Sequence, residues 1–174
     1  DLALMRAIPQ MTVVDPCDAL EIEQAVPAIA DHKGPVYMRL LRGQVPRVLD
    51  RYNYQFKLGK AQTIRPGKDV LLISTGLLTM RALETAEALE KDGIHAEVLH
   101  VPTIKPLDTE TILGACRAAS RPVVVCENHS VIGGLGEAVA SLLLRNRLAP
   151  EFRQIALPDE FLDAGALPTL HDRY

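Results

Sequence analysis

The chain has 174 residues, 48% hydrophobic and 24% charged, values ordinary for about one globular domain of ~150 residues with or without an appendage. A formal net charge of −3 with no basic run argues against a nucleic-acid surface, and no apolar stretch is long enough to span a membrane. Cys17, Cys116 and Cys126 are odd in number and form no Cys-x-x-Cys, which argues against a disulfide scaffold or structural zinc and for a reducing, cytoplasmic setting.

Aromatic residues are only 4% and Trp is absent, so the core has to be aliphatic. The chain opens on Asp1-Leu2-Ala3 with no signal-peptide pattern and reads as a piece that starts inside a larger unit. Residues 1–9 read as a short helix that stops before Pro9. Residues 11–14 are a strand, and Pro16-Cys17-Asp18 turns the chain. Asp18 with Glu21 makes a capping box, followed by Ile22, Ala25, Val26, Ile29 and Ala30 at helical spacing. Pro27 inside that run predicts a kink or two short helices. Residues 36–41 are the next strand, closed by Arg42-Gly43. Residues 45–66 are polar and aperiodic and read as a linker with one short strand at 61–64.

From Asp69 the pattern is regular. Strands are expected at 70–74, 96–101, 123–126 and 154–157, and helices at 78–92, 108–119 and 135–145. Gly93 is the expected C-terminal cap of the first of these helices and Asp108 the N-cap of the second. Glu127-Asn128-His129-Ser130 reads as a polar turn, with Gly133, Gly134 and Gly136 behind it. These glycines miss the dinucleotide spacing Gly-x-Gly-x-x-Gly and read as close-packing positions for a helix rather than a phosphate cradle. Strands alternating with helices predict an α/β fold with a mostly parallel, doubly wound sheet.

Four stretches together resemble the transketolase family of thiamine diphosphate enzymes: DLALMRAIPQMTVVDPCDALE at 1–21, PVYMRLLRGQVP at 35–46, GKDVLLISTG at 67–76 and CENHSVIGGLGEAVAS at 126–141. Their order and spacing cover essentially the whole chain, which is most similar to the C-terminal subunit of split transketolases. Deoxyxylulose phosphate synthase and the beta chains of 2-oxoacid dehydrogenases are nearby alternatives. The resemblance implies the tail of a pyrimidine-binding α/β domain at 1–46, a linker at 47–66 and a transketolase C-terminal domain at 67–174. The first half of the pyrimidine domain, with its cofactor-facing glutamate, is not among these residues. Glu127-Asn128 also stands where the family usually has two acids.

By the same resemblance, the assembled enzyme moves a two-carbon ketol unit between sugar phosphates. It uses thiamine diphosphate and Mg2+ that this chain does not bind alone. The implied partner is an N-terminal transketolase subunit, in a homodimer of this chain or a heterotetramer. A non-catalytic assembly fragment is the reading outside enzymology. No catalytic residue and no metal ligand is assigned to this chain, since His32, His95, His100 and His171 show no ligand spacing.

Three residues are candidate substrate contacts. Arg42 follows a strand's carboxyl end, where open α/β sheets place ligands, and its fork suits a phosphate; the family places a phosphate-contacting arginine there. The alternative is an exposed turn arginine. Arg6 matches an arginine near the substrate phosphate of deoxyxylulose phosphate synthases, or is a structural arginine paired with an acid. His129 is a donor to substrate or to a partner subunit, or a solvated loop histidine. Arg39, on the strand itself, reads as a structural ion-pair residue.

Overall fold

The computed structural model describes residues 1–40, 45–118, 120–166, 169–170 and 173–174. In chain order the elements are α1 (Leu2–Ala7), β1 (Thr12–Val14), α2 (Ala19–Ala30), β2 (Val36–Met38) and a 3-10 turn at Leu49–Tyr52. Then come β3 (Gln62–Arg65), β4 (Val70–Ser74), α3 (Leu78–Lys91), β5 (Ala96–His100) and β6 (Thr103–Lys105). The chain continues through α4 (Thr109–Arg117), β7 (Val123–Ser130), α5 (Leu135–Arg145) and β8 (Phe152–Leu157).

Two sheets result. The larger runs β3-β5-β4-β7-β8, with β4, β5, β7 and β8 parallel and β3 antiparallel at one edge. The expected mostly parallel α/β sheet is therefore present. Its central strands are aliphatic on both faces, as a sheet covered by helices on both sides requires. Leu71, Ile73, Leu99 and Val125 pack with Leu135, Val139 and Leu143 of α5 and Ile112 of α4. Leu72 and Val98 face the other way, onto Ala82, Leu83 and Ala86 of α3 and Ala25 of α2.

The smaller sheet runs β2-β1-β6, with β1 parallel to β2 and antiparallel to β6. The sequence pattern did not predict β6. Its three residues are too few to carry a period, and it forms because β1 offers it an edge. Helix α2 also departs from expectation by running unbroken through Pro27. Pro27 deprives the Glu23 carbonyl of its donor, but both residues are exposed, so water can serve that carbonyl. Strand β7 continues to Ser130, through residues whose composition suggested a turn.

Candidate functional site

The carboxyl ends of β4, β5 and β7 form the edge at which open α/β sheets hold ligands. In this chain the first forty residues meet that edge. The Gly76 N–H, just past β4, donates to the Asp15 carbonyl at 3.1 Å, and the Asp15 N–H donates to the Pro102 carbonyl at 2.8 Å. Gly76 has φ +53°, in the left-handed region, and any side chain there would overlap the Asp15 carboxylate.

Asp15 is buried and bound by Arg39. Nε donates to Oδ1 at 2.8 Å and Nη2 to Oδ2 at 2.6 Å. The remaining terminal nitrogen, Nη1, donates to the Asn128 carbonyl on β7 at 2.8 Å and lies 3.8 Å from Asp1 Oδ1. Burial pushes the Asp15 carboxyl up from its ordinary value, against the pull of the Arg39 charge. Arg39 is thus the ion-pair residue expected, although β2 ends at Met38 and Arg39 directly follows the strand rather than lying on it.

A second tie crosses the same edge. Glu21 on α2 and His100 at the end of β5 are each 0% exposed. The His100 Nε2 donates to both Glu21 oxygens at 2.9 Å, and the Cys17 N–H donates to Oε2 at 2.6 Å. The Tyr54 hydroxyl donates to Oε1, and its ring stands edge-on to the imidazole with centroids 5.6 Å apart. His100 Nδ1 shares a 2.7 Å hydrogen bond with Thr79 Oγ1, which reaches Ser74 Oγ at 3.0 Å. The order hydroxyl–imidazole–carboxylate is that of a hydrolase triad. A nucleophile sealed from solvent has no access to substrate, however, so the network reads as a structural tie.

The β7–α5 junction closes a third position. Glu127 accepts from the Leu135 N–H at 2.6 Å, the Gly136 N–H at 2.7 Å and Gln154 Nε2 at 3.1 Å. Its carboxylate fills the amino end of α5, where a bound anion would otherwise sit. Side chains at Gly134 and Gly136 would overlap Glu127 and Gln154. The glycines are close-packing positions, as expected.

His129 is buried rather than solvated. Its Nε2 accepts from the Ala3 N–H at 3.2 Å, and Nδ1 lies 2.9 Å from the Ser130 carbonyl oxygen. Arg6 Nη1 donates to the carbonyls of Gly133 and Gly134, the latter at 2.9 Å. Burial lowers the Arg6 pKa, while Glu127 and Glu137 act to raise it. Arg6 also lines a cavity of about 520 Å3 with Lys105, Glu137, Ser141 and Arg145. Arg6 and His129 therefore each tie α1 to the β7–α5 region, Arg6 through Gly133 and Gly134 and His129 through Ala3, without touching one another in the bonds described. Arg42 lies outside the described residues.

Reading by sequence missed Asp15 and the pairing of Glu21 with His100. The available signal was a lone polar residue directly after a β-branched or aliphatic run, as in Val13-Val14-Asp15 and Val98-Leu99-His100. Among the described residues no cluster of His, Cys, Asp or Glu could hold a metal ion. No described helix is long and apolar enough to cross a membrane.

A mostly parallel, doubly wound sheet whose ligand edge is closed by a smaller α/β layer defines a two-sheet α/β assembly. The family model of the transketolase C-terminal domain matches residues 59–174, and the chain belongs to that family. An uncharacterised transketolase family protein of Sinorhizobium fredii is 67% identical over the whole chain, which covers 51% of that protein. A 6-deoxy-6-sulfo-D-fructose transketolase subunit of a Clostridium species is 43% identical, again over the whole chain and 53% of the relative. The structure of a split-gene transketolase, described as an inactive β4 tetramer, superimposes with a TM-score of 0.87 at 40% identity, over 93% of this chain and 53% of that one. The chain spans about half the length of the curated relatives it matches.

Proposed function

We propose that this chain is the C-terminal portion of a thiamine diphosphate-dependent, transketolase-type transferase that moves a two-carbon ketol unit between phosphosugars in the cytoplasm. It acts only with a partner that carries the diphosphate-binding domain. The observation that carries this reading is the likeness, over nearly the whole chain, to a split-gene transketolase subunit. In this proposal residues 1–46 are the late part of the pyrimidine-binding domain, 47–66 the linker and 67–174 the C-terminal domain.

The described residues do not fit the cofactor. The amino end of α5 is filled by Glu127 and that of α4 by Asp108, which accepts from the Thr111 N–H at 3.2 Å. The Asp15 carboxylate lies against Gly76, just ahead of α3. A diphosphate at any of these three places would have to displace the chain's own carboxylates. This supports the division of labour in which thiamine diphosphate and Mg2+ belong to the partner. The assembly is a homodimer of this chain or a heterotetramer with that partner.

Arg42 and Arg6 are the proposed contacts for the substrate's anionic end, and His129 is a proposed substrate contact that would first have to release Ala3 or Ser130. The named substrate of the Clostridium relative bears a sulfo group where a phosphosugar bears a phosphate. An arginine fork suits either anion. A second reading, a non-catalytic assembly fragment, is favoured by the description of the split-gene relative as an inactive tetramer.

The test mixes the full-length protein with an N-terminal transketolase subunit, thiamine diphosphate and Mg2+, and assays ketol transfer from a ketose phosphate. No turnover is expected without the partner, and transfer by the chain alone overturns the division of labour. Arg42→Ala should raise the KM for phosphorylated substrates about 10–100-fold, the value of a lost charge-assisted contact, and that for unphosphorylated ones far less. Equal effects on both would remove its phosphate role.

A further inference from the structure

We propose that the cavity between α1, β6 and α5 is a binding site for the phosphate monoester of a small organic molecule. The site does not depend on the ketol-transfer reading. On α5, Glu137, Ser141 and Arg145 follow one another at i, i+4 spacing and so share one stripe of the helix. Arg6, in the last turn of α1, and Lys105, the last residue of β6, line the same cavity as that stripe. Small side chains at Ala138 and Ser141 leave about 520 Å3 between these elements, within the range of small-molecule sites. Arg6 is shared with the proposed substrate contacts; Lys105 and Arg145 are not, and they set this site apart.

Three cations line this space against one carboxylate, Glu137, which accepts from the Gly133 N–H at 2.8 Å. The cations have donors to spare. Arg6 spends Nη1 on the Gly133 and Gly134 carbonyls, which leaves Nε and Nη2 without a partner among the described residues. Lys105 Nζ donates to the Arg6 carbonyl at 2.8 Å and the Ile8 carbonyl at 2.6 Å, using two of its three N–H groups. Arg145 forms no hydrogen bond or ion pair among the described residues. Glu127 acts on Arg6 through space, but its oxygens are held by Leu135, Gly136 and Gln154, and it does not line the cavity. The lining therefore carries a surplus of two positive charges. A phosphate monoester, at about −1.5 to −2 near pH 7, cancels that surplus, and its three terminal oxygens suit donors arriving from three elements. A carboxylate would cancel only half of it. Leu107 and Leu142 supply apolar lining for the ester's carbon skeleton.

The experiment titrates the full-length protein by calorimetry with propyl phosphate, inorganic phosphate and propionate. Propyl phosphate should bind saturably at one site per chain. It should bind at least about threefold tighter than inorganic phosphate, from burial of its carbon chain, and at least about tenfold tighter than propionate, which lacks the second charge. Arg145→Ala should weaken propyl phosphate about tenfold, the worth of one charge-assisted bond. Ser141→Leu, which fills the cavity and leaves every charge in place, should weaken it at least as much. Circular dichroism and the urea midpoint check that both variants are folded, and Arg145, exposed and without a bonded partner, can be truncated without disturbing a contact. Arg42→Ala should leave the affinity within about twofold of the native value. Absence of saturable binding, or binding that survives both Arg145→Ala and Ser141→Leu, overturns the site. Equal affinity for inorganic phosphate or for propionate overturns the assignment to a phosphate monoester. Binding lost in Arg42→Ala but kept in Arg145→Ala places the phosphate at the proposed substrate contacts and overturns a separate site, whereas failure of the ketol-transfer assay leaves this titration untouched.

Discussion

Replacing His100 with leucine tests whether the tie between α2 and β5 holds the two sheets together. In the native chain the Glu21 carboxylate has no solvent and relies on His100, Cys17 and Tyr54 for its donors. Leucine fills a similar volume but supplies no donor, so a buried carboxylate loses its imidazole partner. Breaking such a pair from one side costs about 3–5 kcal/mol. In a chain of this size ~1 kcal/mol shifts Tm by about 2–4 °C, so the expected fall is roughly 6–20 °C. Glu21→Leu should cost a similar amount, because it strands the imidazole and the Cys17 N–H. Glu21→Leu/His100→Leu should cost less than the sum of the two by at least about 2 kcal/mol, since removing both partners leaves no orphaned charge. Urea unfolding followed by circular dichroism, with a common m-value, measures all three. Single variants costing under about 1 kcal/mol, or a double variant additive to within about 0.5 kcal/mol, would refute the reasoning.

Gly134→Ala should destabilise the chain by about 1–3 kcal/mol, because the new methyl displaces the Glu127 carboxylate that caps α5; Gly114→Ala, in open space inside α4, should be neutral or gain up to about 1 kcal/mol. Thermal unfolding of the two variants in the opposite order would contradict the packing role. None of the three cysteines should react with a thiol reagent in the folded chain at pH 8: burial pushes the Cys116 thiol up to about 11, that of Cys126 to about 12 and that of Cys17 up as well. Fast labelling of any of them before urea is added would show that its burial is misread. Burial also raises the Glu127 pKa, despite the opposing N–H groups of Gly136 and Leu135. A group that holds its proton more tightly when folded adds stability below its unfolded pKa of about 4.3 and loses that addition as pH rises through the folded value. The stability of the native chain minus that of Glu127→Gln should therefore fall across that window, with Asp15 cancelling between the two. A difference that rises with pH would refute the sign.

What could be read from the residues, and what could not, divides by the range of the interactions involved. Strands β4 and β5, the first half of β7, and helices α3, α4 and α5 are specified by neighbours within one element, so runs such as Val123-Val124-Val125 and the Asp108 cap announce them. The second half of β7 looked like a turn because Glu127, Asn128, His129 and Ser130 are all polar. Yet Glu127 is satisfied on α5, and His129 accepts from the Ala3 N–H of α1. Polar side chains that find partners on another element look, in sequence, like side chains waiting for water. The same confusion hid the site's supports. Arg39 could be recognised as one half of an ion pair, but not as the partner of Asp15 on a strand read separately. Glu21 satisfied a local capping pattern, which concealed its larger commitment to His100. Arg42 was singled out by its place after a predicted strand together with resemblance, and Arg6 by resemblance, and resemblance reports which residue stands at a position without saying what it touches here. Arg6 makes the point, since its Nη1 turns to two backbone carbonyls. Ties between elements are thus the least legible part of this chain. They are also where a single replacement strands a buried partner, so the largest losses should fall on Asp15, Arg39, Glu21 and His100 rather than on the aliphatic runs that made the fold readable.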